Sequence, residues 1–92
     1  METETKPEPF AEIGQSIAAI RTKNGLTQTA LTEALSHVGG MSQGRISRLE
    51  RGYWMPNAGQ FEHLIQALKC NQKQAGELRY LAICAVRRLV DA

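Results

Sequence analysis

The stretch from Leu26 to Gly52, LTQTALTEALSHVGGMSQGRISRLERG, decides the fold. It holds two segments with helical apolar spacing, and Gly39-Gly40 breaks the chain between them. The second segment sets Arg45, Arg48 and Arg51 three residues apart, with the acid Glu50 among them. At about 100° per residue, Ile46, Leu49 and Glu50 fall on one side of a helix over residues 43–51. Gly44, Ser47, Arg48 and Arg51 fall on the opposite side, with Arg45 at the margin and Gln43 in the first turn. The arginines therefore project outward, and the glutamate lies beside the residues that must face a core.

A carboxylate on the core side needs a partner, because desolvating it alone is costly. The preceding segment supplies one. Phe10, Ile13, Ile17 and Ile20 form the apolar face of a first helix over residues 10–23, and Arg21 stands at the edge of that face. An Arg21–Glu50 ion pair joining the first and third helices is the expectation. The competing picture, in which both side chains reach back to water, needs two independent helical wheels to mislead in the same direction.

The same logic extends along the chain. Asn24-Gly25 ends the first helix, with Gly25 suited to a left-handed cap. Thr27 caps a second helix whose Ala30, Leu31, Ala34 and Leu35 face inward. Ser42 caps the third, with Met41 and Ile46 at the spacing of a hydrophobic staple, and Gly52 stops it. Pro56-Asn57 opens a fourth helix, in which Asn57 and Gln60 have capping-box spacing and Phe61, Leu64, Ile65 and Leu68 form the buried stripe. Asn71 and Gln74 repeat the device for a C-terminal helix over residues 72–90. Five helices with short connections and no strand pattern predict an all-α domain over residues 10–92. Residues 1–9, METETKPEP, read as a flexible acidic tail.

Composition narrows the function. The chain has 92 residues and a net charge of +2, but residues 1–12 carry one base against four acids. The remainder is therefore distinctly basic, which suits a polyanionic partner. No apolar run approaches the roughly 18 residues a membrane span requires, and the N-terminus lacks a signal-peptide pattern. A cytoplasmic location is expected. Cys70 and Cys84 lack metal-ligand spacing, so neither a metal nor a cofactor is expected. His37 is expected in a loop and His63 on a helix surface. Neither has a catalytic partner in sequence, and no Gly-rich phosphate loop is present, so an enzyme is not expected.

The outward face of the third helix has a chemical use. Gln43 can contact adenine bidentately, arginine can contact guanine, and a major groove admits one helix. Gly44 allows close backbone approach. Thr27, Gln28 and Ser42 lie at helix N-termini, where free N–H groups favour phosphate. The plain alternatives are caps at Thr27 and Ser42 and a solvated charged face at the arginines; spacing alone serves either reading equally.

The wider pattern separates them. IGQSIAAIRTKNGLTQTALTEAL (residues 13–35) with MSQGRISRLERGYWMP (residues 41–56) resembles the lambda-repressor/Cro-like, or XRE-type, helix-turn-helix family over about residues 12–70. The resemblance rests on IRTKNGLTQ, ISRLERG and the proline before the fourth helix, in that order. It implies a five-helix fold with the third helix as the recognition helix in the major groove of double-stranded DNA. Base-reading positions fall on Gln43, Gly44, Ser47 and Arg48, with Arg45 able to contact base or phosphate. Phosphate-contacting positions fall on Gln28, Ser42 and Arg51, joined by Thr27 and, in the following loop, Tyr53 and Trp54. Trp54 could instead serve in packing. The family also often carries an ion pair at the positions of Arg21 and Glu50. Two departures stand out. SHVGGM is longer than the family's usual turn, so HVGG either lengthens the second helix or widens the loop. Gly44 stands where the family often has a base-reading side chain.

The C-terminal helix is apolar on two stripes. Leu78, Leu81, Ala82, Ala85 and Leu89 form one; Ile83, Val86 and Val90 form another, which suggests a homodimer interface. The reading is a sequence-specific, dimeric DNA-binding transcriptional repressor, controlled by its abundance, a modification or a regulatory protein partner. Its rival is a protein-interaction adaptor on the same fold with weak or no DNA binding.

Overall fold

The computed structural model describes residues 10–91, with side chains through residue 87. The acidic segment 1–9 and the side chains of Leu89 and Val90 lie outside the described residues. Within them are α1 (Ala11–Lys23), α2 (Gln28–Ala34), α3 (Gln43–Glu50), α4 (Ala58–Ala67) and α5 (Gln72–Asp91), with no strand. The fold is the all-α arrangement expected.

The ends of these helices follow from their capping chemistry. Thr27 Oγ1 accepts from the Ala30 N–H at 3.0 Å, and Ser42 Oγ from the Arg45 N–H at 3.3 Å. Asn57 with Gln60, and Asn71 with Gln74, form reciprocal side-chain-to-backbone pairs at the starts of α4 and α5. Met41 and Ile46 are both buried and bracket the start of α3 as a staple should.

The apolar stripes meet in one core. Ile13 and Ile17 of α1, Leu31 and Leu35 at α2, Ile46 and Leu49 of α3, Leu64 and Leu68 at α4, and Leu78 of α5 are all essentially inaccessible. α1 packs against both α3 and α5, and α2 packs against α3. One glycine sets the closest of these approaches. A Cβ on Gly14 would lie 2.8 Å from the Glu50 carbonyl oxygen and nearer still to that of Leu49, so α1 crosses the end of α3 backbone to backbone. Gly52 answers from the end of α3: at φ 88° it closes that helix, and it packs against the start of α1, where a Cβ would be 2.8 Å from the Ala11 Cα.

Two expectations about α2 need correction or completion. Ala34 is exposed rather than inward-facing, and Ala30 is half-buried. The helix is only seven residues long, so Leu31 and Leu35 suffice to seat it. The HVGG segment does not lengthen α2. It forms a wider loop of successive turns from Leu35 to Gly40.

Candidate nucleic-acid interface

The outward face of α3 is built by what its inward face is tied to. Ile46 and Leu49 are fully buried, which turns Gln43, Gly44, Arg45 and Arg48 to solvent and leaves Ser47 half-buried. Glu50 is turned inward: its side chain is 6% exposed, against 16% for Arg21. Arg21 Nε donates to Glu50 Oε2 at 2.6 Å and Nη2 to Oε1 at 3.2 Å, a two-point contact between α1 and α3. A third donor, Gln28 Nε2, reaches Oε1 at 2.9 Å from the start of α2. Arg21 Nη1 also donates to the Leu26 carbonyl at 2.8 Å, in the turn between α1 and α2. One carboxylate thus fastens three helices and removes the negative charge from the arginine face.

The remaining positions divide into free and engaged. Arg48 projects from the exposed side of α3 and makes no side-chain hydrogen bond or ion pair among the described residues. Arg45 places its guanidinium over the Trp54 ring, 5.4 Å from the centroid. Arg51 lies 5.8 Å over Tyr53, and its Nε reaches the Ser47 carbonyl at 3.4 Å. Trp54 is half-buried against the core, which favours the packing role, while Tyr53 is exposed. The Ser42 and Thr27 hydroxyls serve as caps, and both residues remain exposed.

Several contacts were missed from the sequence. Gln28 was expected on a phosphate, but its amide is drawn to Glu50. His37 and His63, placed separately in a loop and on a helix, meet edge to face with ring centroids 5.4 Å apart. Asn24 was read as a helix stop; its side chain also donates to the Leu68 carbonyl at 2.8 Å and joins Gln74, tying α1 to the junction of α4 and α5. Each spans elements that no single wheel relates.

A second exposed feature lies along α4 and α5. Ile83 and Val86 are more than half exposed, so the monomer core does not bury this stripe of α5. With Met55, Pro56 and Phe61 they line an open groove of about 520 Å³. Glu62 and Arg79 pair across it at 2.7 Å, and the guanidinium holds the Glu62 carboxyl below its usual range. Among the described residues, no group of three or more His, Cys, Asp or Glu could hold a metal ion, and no helix is long and apolar enough to cross a membrane.

A family model described as helix-turn-helix matches residues 17–71, from the middle of α1 to the residue before α5. No curated protein and no solved structure matched the chain.

Proposed function

The chain belongs to the XRE-type, lambda-repressor-like helix-turn-helix family of DNA-binding regulators, and on that footing we propose that it is a sequence-specific transcriptional repressor that binds double-stranded DNA as a homodimer with α3 in the major groove. The observation that carries the reading is the sorting of charge on α3. Glu50 is drawn inward by Arg21 and Gln28, while Arg45, Arg48 and Arg51 stay on the accessible face. A solvated helix face with mixed charges would need no such sorting.

In this reading Gln43, Gly44, Ser47 and Arg48 meet base edges, and Arg45 reaches base or phosphate from its seat on Trp54. Arg51, Tyr53, Ser42 and Thr27 face the backbone, with N–H groups at the start of α3 favouring phosphate oxygens, and Trp54, half-buried, serves there chiefly as the support of Arg45. Gln28 contributes through Glu50, by holding α2 and α3 in register. Gly44 brings backbone rather than a side chain to the groove. Such a protein works where the chromosome is, in the cytoplasm, and needs no cofactor for recognition. A protein partner remains the natural route to its regulation.

The exposed Ile83 and Val86 support the homodimer, with Val90 continuing the stripe in sequence. Two recognition helices about 34 Å apart would read half-sites one DNA turn apart. Selection from a random duplex pool tests the whole reading: enrichment of an inverted repeat is the expected result, and recovery of no sequence above background overturns it. Val86→Asp tests the dimer separately. A carboxylate there costs several kcal/mol in a buried interface and little in water. The variant should remain helical, sediment as a monomer and lose affinity for the two-half-site operator. A wild-type chain that sediments as a monomer with and without its operator would remove the dimer.

A further inference from the structure

We propose that Gln60, on α4, is a positioning residue that clamps the loop before α3 and so sets which bases the N-terminal end of α3 meets; the second half of this rests on the DNA-binding reading above. The loop from Leu35 to Gly40 is the segment that makes this chain longer than its family's usual turn, and it has no helix of its own. Leu35 is buried and Val38 packs against the core, which holds the first part of the loop, but Gly39 and Gly40 are exposed and have no side chain to bury. What holds that last part is an amide used at both ends. Gln60 Oε1 accepts from the Asn57 backbone N–H at 2.9 Å, completing the cap of α4. Gln60 Nε2 donates to the Gly39 carbonyl at 2.7 Å, across 21 positions of sequence.

The two demands have opposite sign. The cap needs an acceptor and the loop needs a donor, so a primary amide meets both in one orientation and neither a carboxylate nor an alkyl chain can. The fit is close: a Cβ on Gly40 would lie 2.8 Å from Gln60 Nε2. One turn further along α4, His63 meets His37 edge to face and gives the clamp a second jaw. Beyond the clamp only Gly40 and Met41 separate Gly39 from Ser42, the cap of α3. A shift of Gly39 therefore passes within four or five residues to Gln43 and Gly44, while the far end of α3 stays pinned by Arg21 and Glu50. Releasing the clamp leaves Met41 alone to hold the N-terminal end of α3 by burial, which loosens that end about the pinned one.

Two substitutions in the full chain separate the clamp from the cap. Gln60→Glu keeps the acceptor for Asn57 and removes the donor for Gly39. Asn57→Ala weakens the cap and keeps the donor. Order parameters from ¹⁵N relaxation at Gly39 and Gly40 should fall for Gln60→Glu and stay at wild-type values for Asn57→Ala, although both substitutions lower the melting temperature by a few degrees. In selection from random duplex DNA, Gln60→Glu should lose about five- to tenfold in discrimination at the bases facing Gln43 and Gly44, the scale of one hydrogen bond. The added carboxylate should lower affinity evenly on all sequences, so the readout is relative base preference and not overall affinity. Wild-type order at Gly39 and Gly40 in Gln60→Glu overturns the clamp; lowered order with wild-type base preference overturns its role in recognition. If the wild-type chain selects no sequence, the DNA-binding reading fails, and the relaxation measurement still decides the clamp.

Discussion

Glu50→Ala removes three hydrogen bonds at once, two from Arg21 and one from Gln28. The damage is larger than three neutral bonds would suggest. Arg21 is left as a cation with most of its side chain out of water, keeping only the Leu26 carbonyl as a described hydrogen-bond acceptor. Breaking a fully buried pair from one side typically costs about 3–5 kcal/mol. Arg21 retains 16% of its exposure and can swing toward solvent, so a value near the lower limit, about 3 kcal/mol, is expected. A domain of this size has about 5–14 kcal/mol of total stability, so the loss is severe but not total. At roughly 4–8 °C per kcal/mol, Tm should fall by about 12–24 °C. Thermal melts followed by far-UV circular dichroism give the shift, and urea titration gives the free energy. Replacing both partners with apolar residues, Arg21→Met with Glu50→Leu, should recover much of the loss, because no charge is stranded. An unchanged Tm for Glu50→Ala, or a double variant no better than the single, would refute the view that one carboxylate fastens α1, α2 and α3.

Arg48→Ala should cost about 1–3 kcal/mol at one base position and relax preference there, whereas Arg51→Ala should weaken binding evenly and lower the salt slope by about one unit; equal losses on specific and random duplexes would reverse the assignment of Arg48. Gly14→Ala forces a methyl group against the carbonyls of Leu49 and Glu50, and overpacking of this kind costs about 1–3 kcal/mol in urea titration. Lys69→Gly should do the opposite: Lys69 ends α4 at φ 59°, and relieving a left-handed residue gains about 1–2 kcal/mol against roughly 0.5–1 lost to glycine's freedom when unfolded. Burial raises the Cys70 thiol, chiefly by desolvation and partly opposed by Arg79, so the folded state prefers the neutral form. Its contribution is complete below the unfolded thiol pKa and lost as pH rises through the folded one; Tm of the wild type should therefore fall more steeply at alkaline pH than that of Cys70→Ala.

What could be read from the sequence was whatever one helix records about itself. The caps at Thr27, Ser42, Asn57 and Asn71 are local, and their spacing is the interaction. Arg21 and Glu50 were legible across 29 positions only because each sits at the edge of a clear apolar stripe, so two local readings pointed at one another. Gln28 gave no such sign, since a polar residue at a helix start has several uses and only the fold brings it to Glu50. Gly14 gave no sign of its role, because a missing side chain does not say what approaches it. Gln60 was half legible: its cap is local, and its donor end is spent on a loop whose path the sequence left open. Arg45 was read toward the nucleic acid and Trp54 toward either phosphate or packing, and their contact with each other is decided by the turn after Gly52.

The divided anchoring of α3 has an energetic consequence. Eight residues make a helix about 12 Å long, too short to persist alone in water. Its order must come from its surroundings, and these hold its two ends independently. Glu50, Gly14 and Gly52 fix the C-terminal end to α1 through charge and backbone contact. Met41 fixes the N-terminal end by burial, and Gln60 holds the loop leading into it. A helix held at one end could change its angle without breaking a contact; one held at both can do so only by breaking one set. The arginine face between the anchors is therefore set in direction before any duplex arrives. Binding then need not meet the entropy of ordering the backbone of α3, only that of the exposed side chains, about 0.5–1.5 kcal/mol for each long one immobilised. Arg45 over Trp54 and Arg51 over Tyr53 are partly ordered in advance by their rings, while Arg48 has no such support. Of the three arginines, Arg48 has the most freedom to lose on contact and the most to adjust, which fits the base-reading role proposed for it.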